Sequence, residues 1–200
     1  MDWKLVLQVI GVALGLLYLY LEYKADIRLW IIGLLMPVVH GILYFRAGLY
    51  ADFGMQMYYV AAGVYGFAVW MSKGRRQEKQ GTQETQENGS GISYTPAKLY
   101  LPLVAVYALL HVLLYLFLSR CTDSTVPFWD AMTTALSVVA MWMLSRKYVE
   151  QWMVWCVVDA VTVALYFYKG IPLTGCLYVL YTVLAVLGWR RWKRMAGRAS

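Results

Sequence analysis

The sequence predicts an all-α membrane protein of seven transmembrane helices, and three observations carry that expectation. Of 200 residues, 61% are hydrophobic and only 14% charged, with a mean hydropathy of +0.53; soluble domains run at roughly 45–50% apolar and about 25% charged. Seven apolar stretches each approach the ~20 helical residues needed to cross a ~30 Å hydrocarbon core. The Lys and Arg residues sit between these stretches, and fourteen of the eighteen fall on one side if the chain crosses at each of them.

The first span, at about 4–23, lacks the strongly basic start and small-residue exit of a cleavable leader and closes at Glu22 and Lys24. It is expected to remain in the mature protein. Glu22 and Arg28 then balance charge at the boundary. The second and third spans, at about 28–46 and 53–72, flank a short turn whose Asp52 is placed to cap the third. Residues 73–98, KGRRQEKQGTQETQENGSGISYTPAK, replace apolar side chains with Gln, Glu, Thr, Gly and Ser. Such a composition predicts a flexible loop. The fourth span, 99–118, reads as a connector. The fifth, about 126–145, carries Asp130 as an expected cap near its start, and the sixth and seventh follow at about 148–168 and 172–190. The expected organisation is a three-helix bundle at 1–72, the loop at 73–98, the connector, a second bundle at 119–192 and a basic tail at 193–200. By the positive-inside rule the basic side is cytoplasmic, with the N-terminus outside and the C-terminus inside. That disposition requires an odd number of spans.

Sliding the chain by 122 residues lays LWIIGLLMPVVHGILYFRAGLY on QWMVWCVVDAVTVALYFYKGIP. Trp30 meets Trp152, Tyr44 meets Tyr166, Gly48 meets Gly170, Tyr59 meets Tyr181, Gly66 meets Gly188 and Trp70 meets Trp192, without a gap. The shared YF-x-x-G turn and Gly-x-x-x-Trp ends point to duplication rather than chance apolar similarity. A repeat of three spans inserts the same way up each time, giving a parallel repeat about an axis along the membrane normal. Duplicated bundles of this kind commonly place substrate where the halves meet, near mid-depth.

The one acid in WMVWCVVDAVTVALYFYK is Asp159, about twelve residues into the sixth span and so ~18 Å from its basic end. An acid at that depth costs at least ~2.5–3.5 kcal/mol on insertion scales and is functional by default. It aligns with Pro37, so the halves differ where an asymmetric ligand would be gripped. The plainer reading ties helices together through hydrogen bonds to Thr162, Tyr181 or an indole. Trp152 and Trp155 precede Asp159 by seven and four residues on one stripe, and a carboxylate beside indole faces suits a flat organic cation. Gln56, Tyr59 and Tyr181 are further polar candidates for the site. His40, Thr133, Thr134, Ser137, Tyr178 and Thr182 stand behind them.

Other classes of function find little support. No basic stripe interleaved with aromatics marks a nucleic-acid surface. His40 and His111 lack metal-ligand spacing, and Cys121, Cys156 and Cys176 form neither a disulfide framework nor a CxxC pair. There is no phosphate loop and no nucleophile elbow, so neither catalysis nor a cofactor is expected. Gly11, Gly15, Gly63 and Gly66 suit packing within the chain or between subunits alike.

The stretches LYADFGMQMYYVAAGVYGFAVW and VVDAVTVALYFYKGIPLTGCLYVLYTVLAVLGWRRW, with the 3+1+3 layout, resemble the PnuC family of bacterial vitamin transporters over essentially the whole chain except 73–98. The resemblance implies a SWEET-like fold, often trimeric, in the bacterial inner membrane. It also implies facilitated diffusion of nicotinamide riboside, trapped by a cytosolic kinase. Substrate contacts of that family lie on its third, sixth and seventh core helices, which correspond here to Gln56 and Tyr59, Trp155 and Asp159, and Tyr181. Its nicotinamide riboside branch often carries Asn near the acid on the sixth span, so Asp159 leaves a thiamine-transporting branch open. Both vitamins are flat cations. A membrane scaffold or sensor that transports nothing is the alternative from another class, and it requires Asp159 to be locked in a dry seam.

Overall fold

The computed structural model describes residues 3–46, 50–79, 91–122, 124–168, 170 and 172–197. Seven helices account for nearly all of them: α1 (Trp3–Tyr23), α2 (Arg28–Arg46), α3 (Tyr50–Lys79), α4 (Ala97–Cys121), α5 (Pro127–Ser145), α6 (Gln151–Tyr168) and α7 (Pro172–Gly197). Among the described residues, α4, α5 and α6 are long and apolar enough to cross a membrane by length and composition. The chain divides into two compact units, Met1–Ser90 and Gly91–Ser200. In the first, α1 packs on α2 and α2 on α3; in the second, α4 packs on α5, α5 on α6 and α6 on α7. The connector α4 therefore belongs to the second unit. None of its residues is buried, and Leu101, Val104 and Leu109 stand open along it, as befits a helix whose solvent is lipid.

Two helices outrun their apolar stretches. α3 continues to Lys79 and α7 to Gly197, because Lys, Arg, Gln and Glu in KGRRQEK and RRWKRM are strong helix formers that hold the backbone helical without a buried face. The expected loop at 73–98 is correspondingly shorter at its start, and its last residues are docked. Ser93 N–H donates to the Lys147 carbonyl and Val149 N–H to that of Ser93, both at 3.1 Å, forming an isolated parallel bridge onto the α5–α6 turn. Thr95 donates its backbone N–H and its hydroxyl to one oxygen of Glu150, at 2.9 and 2.8 Å. Ile92 and Thr95 are buried. Composition alone could not reveal this strap, since most of its bonds come from backbone. Residues 80–90, Gly48 and the side chains of His40, Tyr44 and Asp52 lie outside the described residues.

The same internal geometry occurs in each unit at the offset of 122. Trp30 meets Trp70 edge to face at 5.7 Å and 87°, and Trp152 meets Trp192 at 5.7 Å and 84°. All four indoles are buried. Each lies against a glycine: a β-carbon at Gly66 would overlap the Trp30 ring, and one at Gly188 would stand 2.7 Å from that of Trp152. Gly63 and Gly66 thus serve packing inside the chain, Gly63 against Leu34.

The repeat reaches further upstream than the sequence alignment. Ala25 and Lys147 are both left-handed, φ 55° and 61°. Asp26 N–H reaches the Leu21 carbonyl at 2.9 Å, as Tyr148 N–H reaches that of Met143 at 3.0 Å. These bonds are the helix-ending pattern in which a left-handed residue lets the chain reverse and satisfy the last carbonyls. A cation covers an aromatic ring before each turn, Lys24 on Tyr20 at 4.6 Å and Arg146 on Trp142 at 5.5 Å.

One boundary expectation changes. Arg28 pairs with Asp26 rather than with Glu22, its Nε 3.0 Å from one oxygen and its terminal nitrogen 2.6 Å from the same oxygen, because two residues of separation in a tight turn bring these groups together. The guanidinium holds the Asp26 carboxyl below its usual range. Glu22 is buried instead.

Two stability tests follow from this packing. Gly188→Ala should destabilise the folded protein by about 1–3 kcal/mol, since the Trp152 ring must move, and a melting curve in detergent measures it; unchanged melting would mean the seam is not tight. Thr95→Val keeps the shape of the strap but removes one hydrogen bond to a carboxylate. A loss of about 1–2 kcal/mol is expected in the same measurement, with faster hydrogen exchange at 93–96.

Candidate functional site

Helical spacing on α6 and α7 builds the site. Trp152, Trp155, Asp159, Thr162 and Tyr166 recur at intervals of three and four along α6, and Tyr178, Tyr181, Ala185, Gly188 and Trp192 do so along α7, so each set forms one stripe. The helices pair along these stripes. At the basic end the seam is shut by Trp152, Gly188 and Trp192. At the opposite end Tyr166 stacks on Tyr178, ring centroids 5.4 Å apart and planes 27° apart, and Tyr178 meets Tyr181 edge to face at 5.4 Å. Between these contacts lies Asp159. It is eight residues from Gln151 and nine from Tyr168, ~12 Å and ~13.5 Å along the helix. Tyr181, nine residues into α7, sits close enough to feel the Asp159 charge.

Most polar side chains of this unit are satisfied locally. Thr133 and Thr134 donate to the Asp130 carbonyl at 3.1 and 2.7 Å, Ser137 to that of Thr133 at 2.8 Å, Thr162 to that of Val158 at 2.7 Å and Thr182 to that of Tyr178 at 2.9 Å. Such back-bonding removes the hydroxyl protons from competition. Asp130 does not occupy the cap position, which is Val126; from the first turn of α5 it accepts the Ser124 hydroxyl at 2.6 Å. His111 shares a hydrogen bond with the Tyr107 hydroxyl at 3.1 Å and packs on Phe128 at 4.8 Å, a role in packing.

Several groups break that pattern, among them the indole nitrogen of Trp152, and two of them lie one turn apart at mid-helix. Asp159 is 8% exposed, and among the described residues its carboxylate has neither a hydrogen-bond nor an ion-pair partner; the ion pair present there joins Arg28 and Asp26. One turn earlier, the indole nitrogen of Trp155 is buried with no acceptor. A buried donor left open, as at Trp155, costs about 1–3 kcal/mol unless something fills it. Asp159 is therefore not a helix tie of the kind the plainer reading required, because Thr162 points its proton at its own backbone.

Trp152 takes a different place from the one expected. It is 2% exposed and wedged on Gly188, seven residues from Asp159 and so ~10.5 Å away along α6. Its ring is engaged in the seam because glycine leaves a notch that fits it. Gln56 and Tyr59 lie in the first unit, both half-buried on α3. Gln56 stands beside Gly41, where a β-carbon would be 3.6 Å from its own, and Tyr59 packs on Tyr58 at 5.5 Å. Tyr166 escaped the sequence reading, although its seven-residue spacing from Asp159 signalled the shared stripe.

Comparison with known proteins gives this arrangement a context. The chain is similar to the nicotinamide riboside transporter PnuC of Escherichia coli, with 26% identity over 201 residues, 93% of this chain and 84% of that one. It is similar also to the riboflavin/roseoflavin transporter RibM of Streptomyces davaonensis, with 28% identity over 193 residues, 96% of this chain and 86% of that one. The crystal structure of the vitamin B3 transporter PnuC has the same fold, with a TM-score of 0.68 at 23% identity, covering 96% of this chain and 82% of that one. The sequence profile of the nicotinamide mononucleotide transporter family matches residues 5–194, and the chain belongs to that family.

Proposed function

We propose that this protein is a transporter of nicotinamide riboside working by facilitated diffusion, and that Asp159 holds the positive charge of the pyridinium ring. The observation that carries this reading is the buried carboxylate of Asp159 with no partner among the described residues. A cationic ring supplies the missing charge, and its carboxamide oxygen supplies an acceptor for the Trp155 indole nitrogen, which is also open. Tyr181 borders the acid, and Thr162 retains acceptor capacity one turn beyond it. Gln56, with a donor and an acceptor, and Tyr59 are polar candidates of the first unit, each considered within its own unit.

Charge argues against the other family substrates. Riboflavin, carried by RibM, has a neutral ring that leaves Asp159 unneutralised. The mononucleotide adds a phosphate that an unpaired carboxylate repels, and the sixth span brings no Lys or Arg to offset it. Thiamine, also a flat cation, satisfies Asp159 but lacks a carboxamide for Trp155. In the cell the riboside is proposed to be retained by phosphorylation, since the added phosphate excludes it from this same site.

The finer architecture belongs to this proposal. Seven spans in a 3+1+3 parallel-repeat, SWEET-like arrangement, the N-terminus outside and the C-terminus in the cytoplasm, agree with the recurring internal geometry and with the basic ends of α3 and α7. Location in the bacterial inner membrane and assembly as a homotrimer follow from the PnuC resemblance, with the open flank of α4 available to lipid or a neighbouring subunit.

Titration of the purified protein with nicotinamide riboside, thiamine and riboflavin, read by quenching of its nine tryptophans, tests the substrate. Nicotinamide riboside should bind most tightly, and Asp159→Asn should weaken it at least about tenfold through loss of the charge pair. Equal affinity in parent and variant would end the pairing idea. Transport is also expected to need no ion gradient, because among the described residues of the second unit no other carboxylate is buried with Asp159. Uptake into vesicles lacking any kinase should therefore equilibrate unchanged when an uncoupler is added, and its abolition would show coupling.

A further inference from the structure

The contact between Tyr166, Tyr178 and Tyr181 has a direction. Measured from the end of the helix pair remote from its basic side, Tyr166 is two residues in from Tyr168, ~3 Å; Tyr178 is six residues in from Pro172, ~9 Å; and Tyr181 is nine, ~13.5 Å. Asp159 is also nine residues in, at the same level as Tyr181. The three rings thus descend from the helix end to the acid, each touching the next at 5.4 Å. All three are half-buried and keep part of their surface open.

Packing of the helix pair does not by itself demand this ladder. In the first unit the same two helices close through the same Trp-on-Gly contact, yet the position equivalent to Tyr178 is Gln56, 122 residues earlier. Tyr59 stands where the second unit has Tyr181. A pair of this kind therefore folds without a middle aromatic rung, and the second unit, which alone carries the acid, is the one that has it.

We infer that Tyr166 and Tyr178 form an approach track that selects flat aromatic cations before they reach Asp159. The inference rests on the substrate reading above and extends it from the site of binding to the route. A ring face attracts a cation and stacks with a planar one, so each rung lowers the barrier for a substrate that is both charged and flat. A neutral ring gains only the stacking, and a small aliphatic cation only the charge. Because the track lies short of the resting position beside Asp159, it governs how fast substrate arrives and departs more than how tightly it is held.

Rapid-mixing measurement of tryptophan quenching by nicotinamide riboside separates these effects. Tyr178→Leu should slow association and dissociation together, by about 5–10-fold, while leaving the equilibrium affinity within about twofold; Tyr178→Phe, which keeps the ring, should match the parent. Asp159→Asn should do the converse, changing affinity chiefly through dissociation. If Tyr178→Leu associates as fast as the parent, or if Phe slows as much as Leu, the track is overturned while the substrate reading stands. If the parent shows no binding of nicotinamide riboside, the substrate reading fails and the track with it. Should Tyr178→Leu lose its melting transition, Tyr166→Leu is the variant to measure, with slowed association expected and parental rates overturning the proposal.

Discussion

A tryptophan seated on a glycine sets the geometry of each helix pair. The indole fills the notch where a β-carbon is missing and meets a second indole edge to face, so Trp30 with Gly66 and Trp70 pins α2 to α3, and Trp152 with Gly188 and Trp192 pins α6 to α7. In lipid, where burial of apolar surface does little to bring helices together, close contact at small residues is the main source of affinity between them. Each wedge sits toward the basic end of its pair. The rest of the seam is then free to hold polar groups, and in the second unit that is where Asp159 lies.

The units share this frame and differ in what they place along it. Opposite each other in the repeat are Asp159 and Pro37, Trp155 and Gly33, Tyr178 and Gln56. The second unit is thus equipped for charge and flat rings, and the first for small, hydrogen-bonding contacts. The turns differ as well. In the second unit the strap from Ile92 to Thr95 fastens the start of α6 through Glu150, whereas in the first the equivalent residue is Arg28, paired with Asp26 inside its own turn. The helix that carries the acid is the one held at its root.

An unpaired acid is tolerable in such a protein only if its partner comes and goes. A permanent salt bridge would remove the site, and a fully solvated carboxylate would give no selectivity. The described surroundings of Asp159 avoid both, since Thr162, one turn beyond it, spends its proton on the Val158 carbonyl and Asp159 is nonetheless buried. Binding strong enough to select but weak enough to release is what the proposed facilitated diffusion requires.

Much of this was legible in the chain. Helix number and the membrane class follow from apolar length and charge placement, which are local properties. The repeat follows from register, and the stripe of Trp155, Asp159 and Thr162 from helical spacing. Other features depended on what one helix presents to the next. Spacing put Trp152 on the stripe of the acid, but only the notch at Gly188 shows that its ring is committed to the seam. Composition marked 73–98 as loop, whereas backbone bonds to the α5–α6 turn order 91–96, and backbone bonding has no signature in side-chain polarity. Most decisive, a sequence states that an acid is buried in an apolar run but not whether a proton donor reaches it. That choice is made by side-chain direction across a helix contact, where a shift of a few ångströms separates a tied carboxylate from one left open for a ligand.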